Sequence, residues 1–278
     1  MRAKSVPDSG QALTLLTAAY LHVPARRLRA LLQGKEAALA EWAAEDPSRK
    51  VAHARHRARE ALYRLTHSHA SLVTSADAAY PAGLLDLHDP PAFLTVRGVL
   101  PVTGIAVVGT RNASDIAQAF ARGFSSQCAH AVISGLARGV DAAAHRGALE
   151  ANVPTVAYVA TGLGVTYPPE HLELEQAIVA AGGAIVSERL PGEPAVPWAF
   201  IQRDRLQAAH ARAIVLVASE LDGGAMHTMR FARELQRRRF AVTGGDFAFA
   251  GNAAAIAQGA QPLPPSPQEA VKVLHRVI

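Results

Sequence analysis

Two short apolar runs, each breaking into glycine and an arginine, restrict what this chain can fold into more than any other feature. The first is Gly104-Ile105-Ala106-Val107-Val108-Gly109-Thr110-Arg111, and the second is Val132-Ile133-Ser134-Gly135-Leu136-Ala137-Arg138-Gly139-Val140-Asp141. Each reads as a buried strand, a tight loop and a helix start. In tandem they predict neighbouring parallel strands whose loops emerge on one edge. Glycine lets backbone N–H groups approach an anion closely, the helix N-terminus adds a positive dipole end, and Arg111 or Arg138 offers a forked donor to phosphate. The edge reads as a phosphate site.

From Gly104 onward the pattern alternates strictly. Strands are expected near 104–109, 130–134, 154–160, 183–187, 213–218 and 239–243, with helices near 115–127, 141–151, 170–181, 198–210 and 225–238. Continuous Val/Ile/Ala strands separated by helices call for a mostly parallel sheet covered on both faces, with right-handed crossovers. The fold class is therefore α/β and Rossmann-like. Residues 1–70 read as a small all-helical domain, disordered over the first ten residues and helical near 11–20, 24–32 and 49–65. Residues 71–262 form the Rossmann-like domain with its leading segment. Between 70 and 102 that segment reads as irregular apart from a short strand at 92–98, because Tyr80-Pro81 and Asp89-Pro90-Pro91 break helices. The run Gln261 to Pro267 reads as a proline-rich stop, and 263–278 as a tail helix with no room for a further domain.

With 278 residues, 50% hydrophobic and 18% charged, there is material for one large core and a small appendage, which excludes a disordered chain. The single cysteine, Cys128, cannot form an intramolecular disulfide or a cysteine metal cluster, which suits a reducing cytoplasm. No leader pattern and no run of about 18 apolar residues is present, so neither export nor a membrane partner is expected. The net charge of +5 is unevenly placed: residues 1–80 carry 12 Lys+Arg against 7 Asp+Glu, and the remainder 16 against 16. A basic patch favours nucleic acid through counterion release, or is only a solvated helix face. His53 and His56 have no third ligand of fitting spacing, so no metal is predicted.

The loops carry the chemistry. Gly109-Thr110-Arg111-Asn112 departs from G-x-G-x-x-G, which leaves dinucleotide binding without support and no cofactor expected. Asp141 and His145 lie one turn apart on a helix face; Asp141 is either an N-cap that His145 orients or a direct ligand contact. Thr161-Gly162-Leu163-Gly164 and Asp222-Gly223-Gly224-Ala225-Met226-His227-Thr228 add two more glycine loops at strand ends.

Together, Gly109-Thr110-Arg111, the block from Ser134 to His145, Gly147-Ala148-Leu149, the segment from Gly162 to Tyr167-Pro168-Pro169-Glu170, and Ser187-Glu188 resemble the DprA/Smf family of DNA-processing proteins over roughly residues 75–260. The resemblance implies an extended Rossmann fold that binds single-stranded DNA, usually as a homodimer, and hands it to a RecA-type recombinase in natural transformation. The DNA contacts expected from the loop chemistry are Gly109, Thr110, Arg111, Ser134, Gly135, Arg138, Gly139, Gly162, Gly223 and Gly224, with Asp141, His145 and Glu188 supporting the loops and no catalytic residue. The family's aromatic followed by an arginine-asparagine-arginine triplet corresponds to Phe200, Arg203 and Arg205, with Phe200 either a base-stacking platform or a core residue, Tyr167 next in line, and Arg203 and Arg205 expected to hold the flanking phosphates. Asp204 replaces the triplet's asparagine, Pro197 stands where many members are basic, and Asp222 adds a carboxylate; all three weaken attraction for DNA. An alternative of another class is a nucleotide-hydrolysing enzyme of phosphoribohydrolase type, since Gly223-Gly224-Ala225-Met226-His227-Thr228 resembles that loop. Asp141, Glu188 and Asp222 are the acids on which such chemistry can draw.

Overall fold

The computed structural model describes residues 9–33 and 49–278. The disordered start expected for residues 1–10 lies outside the described residues as far as residue 8; Ser9 and Gly10 open a helix. Helices α1 (Ser9–Tyr20), α2 (Ala25–Leu32) and α3 (Arg49–His67) form the small helical part. Its apolar faces do not close on themselves alone: Leu15, Leu16, Leu28, Ala58 and Ala61 share one buried cluster with Leu72, Phe93 and Leu190 of the main domain.

The main domain is built on a nine-stranded sheet. Its strands are β1 (Ala70–Thr74), β2 (Phe93–Gly98), β3 (Gly104–Val108), β4 (Val132–Ser134), β5 (Thr155–Tyr158), β6 (Ala184–Ser187), β7 (Ala211–Leu216), β8 (Arg238–Val242) and β9 (Gln261–Leu263). They lie in the order β1-β2-β6-β5-β4-β3-β7-β8-β9. From β6 to β9 all neighbours are parallel, whereas β1 and β2 join antiparallel on the β6 side. The helices between them are α4 (Asp115–Ser126), α5 (Val140–Glu150), α6 (Leu172–Ala180), α7 (Pro197–His210), α8 (Ala225–Glu234), α9 (Ala250–Ala257) and α10 (Pro267–Val277).

Side-chain alternation along β3 shows how both faces are filled. Ala106 and Val108 point into a cluster with Leu206 and Ala209 of α7 and Met229 of α8, while Ile105 and Val107 point into one with Phe120 and Phe124 of α4 and Ala144 and Ala148 of α5. A strand buried on both faces explains why the run carries no polar side chain. Ser114 caps α4 by accepting from the Ala117 N–H at 3.2 Å, and Asp115 in the first turn complements the dipole.

Three elements differ from the sequence reading. The stretch 70–102 is not wholly irregular before residue 92, because Ala70–Thr74 pairs along its length with β2, Ala70 opposite Arg97 and Thr74 opposite Phe93. Ala250–Ala257 is a helix. Gln261–Leu263, read as a proline stop, is an edge strand on β8, a place that tolerates Pro262 because one side of the strand makes no ladder bonds.

Chain order reverses at β3. The path goes out through β4, β5 and β6 on one side and returns to β7 on the other, so the loops leaving β3 and β7 diverge and open a crevice at the carboxyl ends of the strands.

Candidate functional site

That crevice is a cleft of about 550 Å³, lined by Gly109, Thr110 and Arg111 after β3, Ala137 and Asp141 after β4, Gly223 and Gly224 after β7, and the cleft face of α7. The β3 loop is held tightly against its neighbours. The Thr110 N–H donates to Ala218 O at 2.7 Å, the Val140 N–H to Thr110 O at 3.2 Å, and a Cβ at Gly109 would overlap the Val140 side chain. Gly139, at φ +70°, makes the turn into α5 and leaves no room for a side chain against the Thr110 carbonyl.

Gly139, not Asp141, is the N-cap of α5. Asp141 sits in the first turn, and its carboxylate reaches back to accept from Gly135 N–H at 3.1 Å and Ala137 N–H at 3.4 Å. It folds the Gly135 to Gly139 loop onto its own helix. His145 does not orient Asp141: its Nδ1 meets Thr155 Oγ1 at 2.7 Å, and that hydroxyl donates to Val132 O, so His145 ties α5 to β4 and β5. Burial lowers its pKa to about 3, keeping the ring neutral.

Across the cleft, α7 starts at Pro197, with Pro197, Phe200, Ile201 and Asp204 on the facing side. Phe200 is half-buried and belongs to the cleft wall, outside the apolar clusters of the core. The Arg111 guanidinium lies 4.8 Å over its ring, and the Tyr167 ring is 5.4 Å away and tilted by 59°. A smaller recess continues past Phe200 between Tyr167, Pro168 and Arg138. Arg111 is exposed and forms no ion pair among the described residues; Arg138 is also exposed and pairs with Glu170 at the rim.

The α7 arginines are placed differently. Arg203 is buried against Gly135, where any Cβ would overlap its guanidinium; its Nη1 donates to Tyr158 O at 2.9 Å and its Nε lies 3.1 Å from Asp204 Oδ1. Asp141 and Asp204 flank this one cation. Burial pushes the Asp204 carboxyl up to about 7, helped by the charge of Asp141 and opposed by Arg203 and Arg111; burial raises Asp141 as well, against the pull of Arg203.

Arg205 lies outside the cleft, paired with Glu188 and within 3.3 Å of Asp89 O. Glu188 thereby supports α7. Ser134 is fully buried and donates to Val107 O at 2.7 Å. Gly162 lies away from the cleft, its N–H on Glu193 O. Of the acids invoked for hydrolysis, Asp141 holds a loop, Glu188 holds Arg205, and Asp222 is exposed. Among the described residues no three His, Cys, Asp or Glu gather in a metal-holding group.

Sequence reasoning missed Asn252. Fully buried on α9, its amide donates to Val217 O and Val242 O and accepts from Ser219 N–H, all at 2.8 to 2.9 Å, which fixes the chain that leads to Gly223. Its only local signal is a polar residue inside an alanine-rich run. His227 and Thr228 also line the cleft, a consequence of their place in the first turn of α8 after Gly224.

The family described as DNA recombination-mediator protein A matches residues 71–275. The chain belongs to the DprA/Smf family of DNA-processing proteins. Protein Smf of Escherichia coli is 33% identical over 179 residues, covering 62% of this chain and 48% of that protein, and DprA of Streptococcus pneumoniae is 31% identical over 175 residues, covering 60% and 61%. The chain spans about half the length of the Smf proteins it matches. Among solved structures, S. pneumoniae DprA superposes with a TM-score of 0.67 at 23% identity over 93% of this chain and 91% of that one. DprA of Helicobacter pylori gives 0.66 at 24% over 76% and 98%, and its structure is described as revealing that protein's single-stranded DNA binding mode. These likenesses establish the DprA/Smf fold, including the helical part ahead of the sheet.

Proposed function

We propose that this chain binds single-stranded DNA in the cleft at the carboxyl ends of β3, β4 and β7, shields incoming DNA there, and as a cytoplasmic homodimer loads a RecA-type recombinase onto it in natural transformation. One observation carries the reading: a half-buried aromatic, Phe200, lies between Tyr167 and Arg111, which has no ion pair among the described residues, on the wall of a glycine-lined cleft. An aromatic platform with an adjoining cation suits a strand whose bases are unstacked, because every base has a π face and every nucleotide a phosphate. Gly109, Thr110, Arg111, Gly135, Arg138, Gly139, Gly223 and Gly224 edge the path of the backbone in this reading. Arg203 acts beneath it as the counter-charge of Asp141 and Asp204. Family membership and the single-strand binding described for the H. pylori protein support the assignment.

Titration with single-stranded and duplex oligonucleotides of equal length, at several salt concentrations, tests it. Preferential single-strand binding with a negative salt slope is expected. Equal affinity for both, or release of free base from nucleoside monophosphates, would overturn it in favour of a different ligand or of hydrolysis.

A further inference from the structure

The start of α7 is a ridge between two hollows. Pro197, Phe200, Ile201 and Asp204 face the cleft, whereas Trp198 and Gln202, one turn apart, face a second hollow of about 460 Å³ whose opposite wall is Val23, Ala25 and Leu28 of the helical part. Trp198 is 58% exposed. Arg189 lies 4.8 Å over its ring, repeating on this side of the helix the pairing of Arg111 with Phe200 on the other. Two carboxylates line the hollow, and each is held by an arginine: Glu188 by Arg205 and Glu193 by Arg189, the latter at 3.1 Å. Arg26 and Arg27 on α2 are exposed beside Ala25 and form no ion pair among the described residues. The hollow thus has an exposed ring on one wall and its own negative charge neutralised, while Arg26 and Arg27 stand outside its lining, on the helix that forms the other wall.

We propose that this hollow is a second base-stacking station for single-stranded DNA. The strand leaving the cleft crosses α7 at Pro197, seats a base on Trp198, and lays its phosphates against Arg26 and Arg27. The inference rests on the proposed function, since the cleft supplies the first station. It gives the charge excess of the N-terminal part a ligand, and it makes the helical part an extension of the binding track.

The test uses a Trp42→Phe background, which leaves Trp198 as the only tryptophan. Oligothymidylates of about 5 and about 20 nucleotides are compared, the shorter filling one station and the longer reaching both. The longer strand is expected to quench Trp198 fluorescence and the shorter to leave it unchanged. Trp198→Ala should weaken binding of the longer strand about tenfold while the shorter binds as before, and Trp198→Phe should restore most of the loss. Arg26→Ala with Arg27→Ala should flatten the salt slope of the longer strand by about one to two units. If the longer strand binds without quenching, or Trp198→Ala leaves its affinity unchanged, the second station does not exist and the cleft stands alone. If neither length binds, the proposed function itself fails and the station falls with it.

Discussion

Arg111 and Arg138 leave the ends of β3 and β4 and stay in solvent, while Arg203 and Arg205, from α7, are drawn into the protein. All four were expected at phosphates. The loop arginines project from tight glycine turns into solvent, where Arg138 meets a rim glutamate and Arg111 feels Asp204 only across the cleft, with no ion pair among the described residues. The helix arginines share their surroundings with Asp141, Asp204 and Glu188, and buried carboxylates hold them. Position near a cleft therefore does not assign an arginine to the ligand; the nearest desolvated charge does.

Breaking this contrast at its strongest point gives the largest effect. Arg203→Ala should destabilise the fold by about 3–5 kcal/mol in denaturant titration, because Asp141 and Asp204 lose their shared counter-charge. If instead the melting temperature holds and only DNA affinity falls, Arg203 belongs with the ligand groups. Phe200→Ala comes next. A half-buried ring on the cleft wall should leave stability nearly unchanged while single-strand affinity drops tenfold or more, about 1–3 kcal/mol, similarly for homopolymers of each base and without a change in salt slope. Loss of stability with normal binding would return Phe200 to the core.

Arg111→Ala should flatten the salt slope by about one unit with little change in stability, the opposite signature to Arg203→Ala. An unchanged slope would remove the distinction between loop and helix arginines. The smallest effect on DNA affinity concerns Asp204, whose carboxyl is pushed up to about 7 from an ordinary 3.8. The folded protein holds that proton more tightly than the unfolded chain, so stability from this group is present at low pH and declines as pH rises from about 4 to about 7. Ionisation also places a negative charge in the cleft, facing Arg111, Arg203 and Asp141, with His227 of α8 lining the same space. DNA affinity should rise as pH falls through 7, and Asp204→Asn should flatten that rise and bind more tightly at pH 8. A pH profile that is the same for both proteins would show that Asp204 stays in one state.

Much of this architecture was legible in the residues. The alternating apolar runs from 104 to 243 predicted six of the nine strands within a few residues, because a parallel strand buried on both faces must be a continuous apolar run, and Gly109, Gly135 and Gly139 mark the turns that follow. Phe200 and Arg111 were visible as a pair of types, though not as a stacked pair. Edge strands were harder to see: Ala70–Thr74 and Gln261–Leu263 break their apolar character with Ser71, Thr74 and Gln261, and Pro262 argues locally against a strand. Asn252 looks like a stray polar residue until Val217, Val242 and Ser219 are placed around it.

By itself the sequence determined the βα order, the crevice at β3 and the side chains available to it, since hydrophobic period and glycine placement are local properties. Only the tertiary structure decided which charges meet. Asp141, Arg203 and Asp204 come from two helices and become one buried cluster, and Trp198 and Arg189 face the helical part, because burial and Coulomb energy depend on what folding brings close.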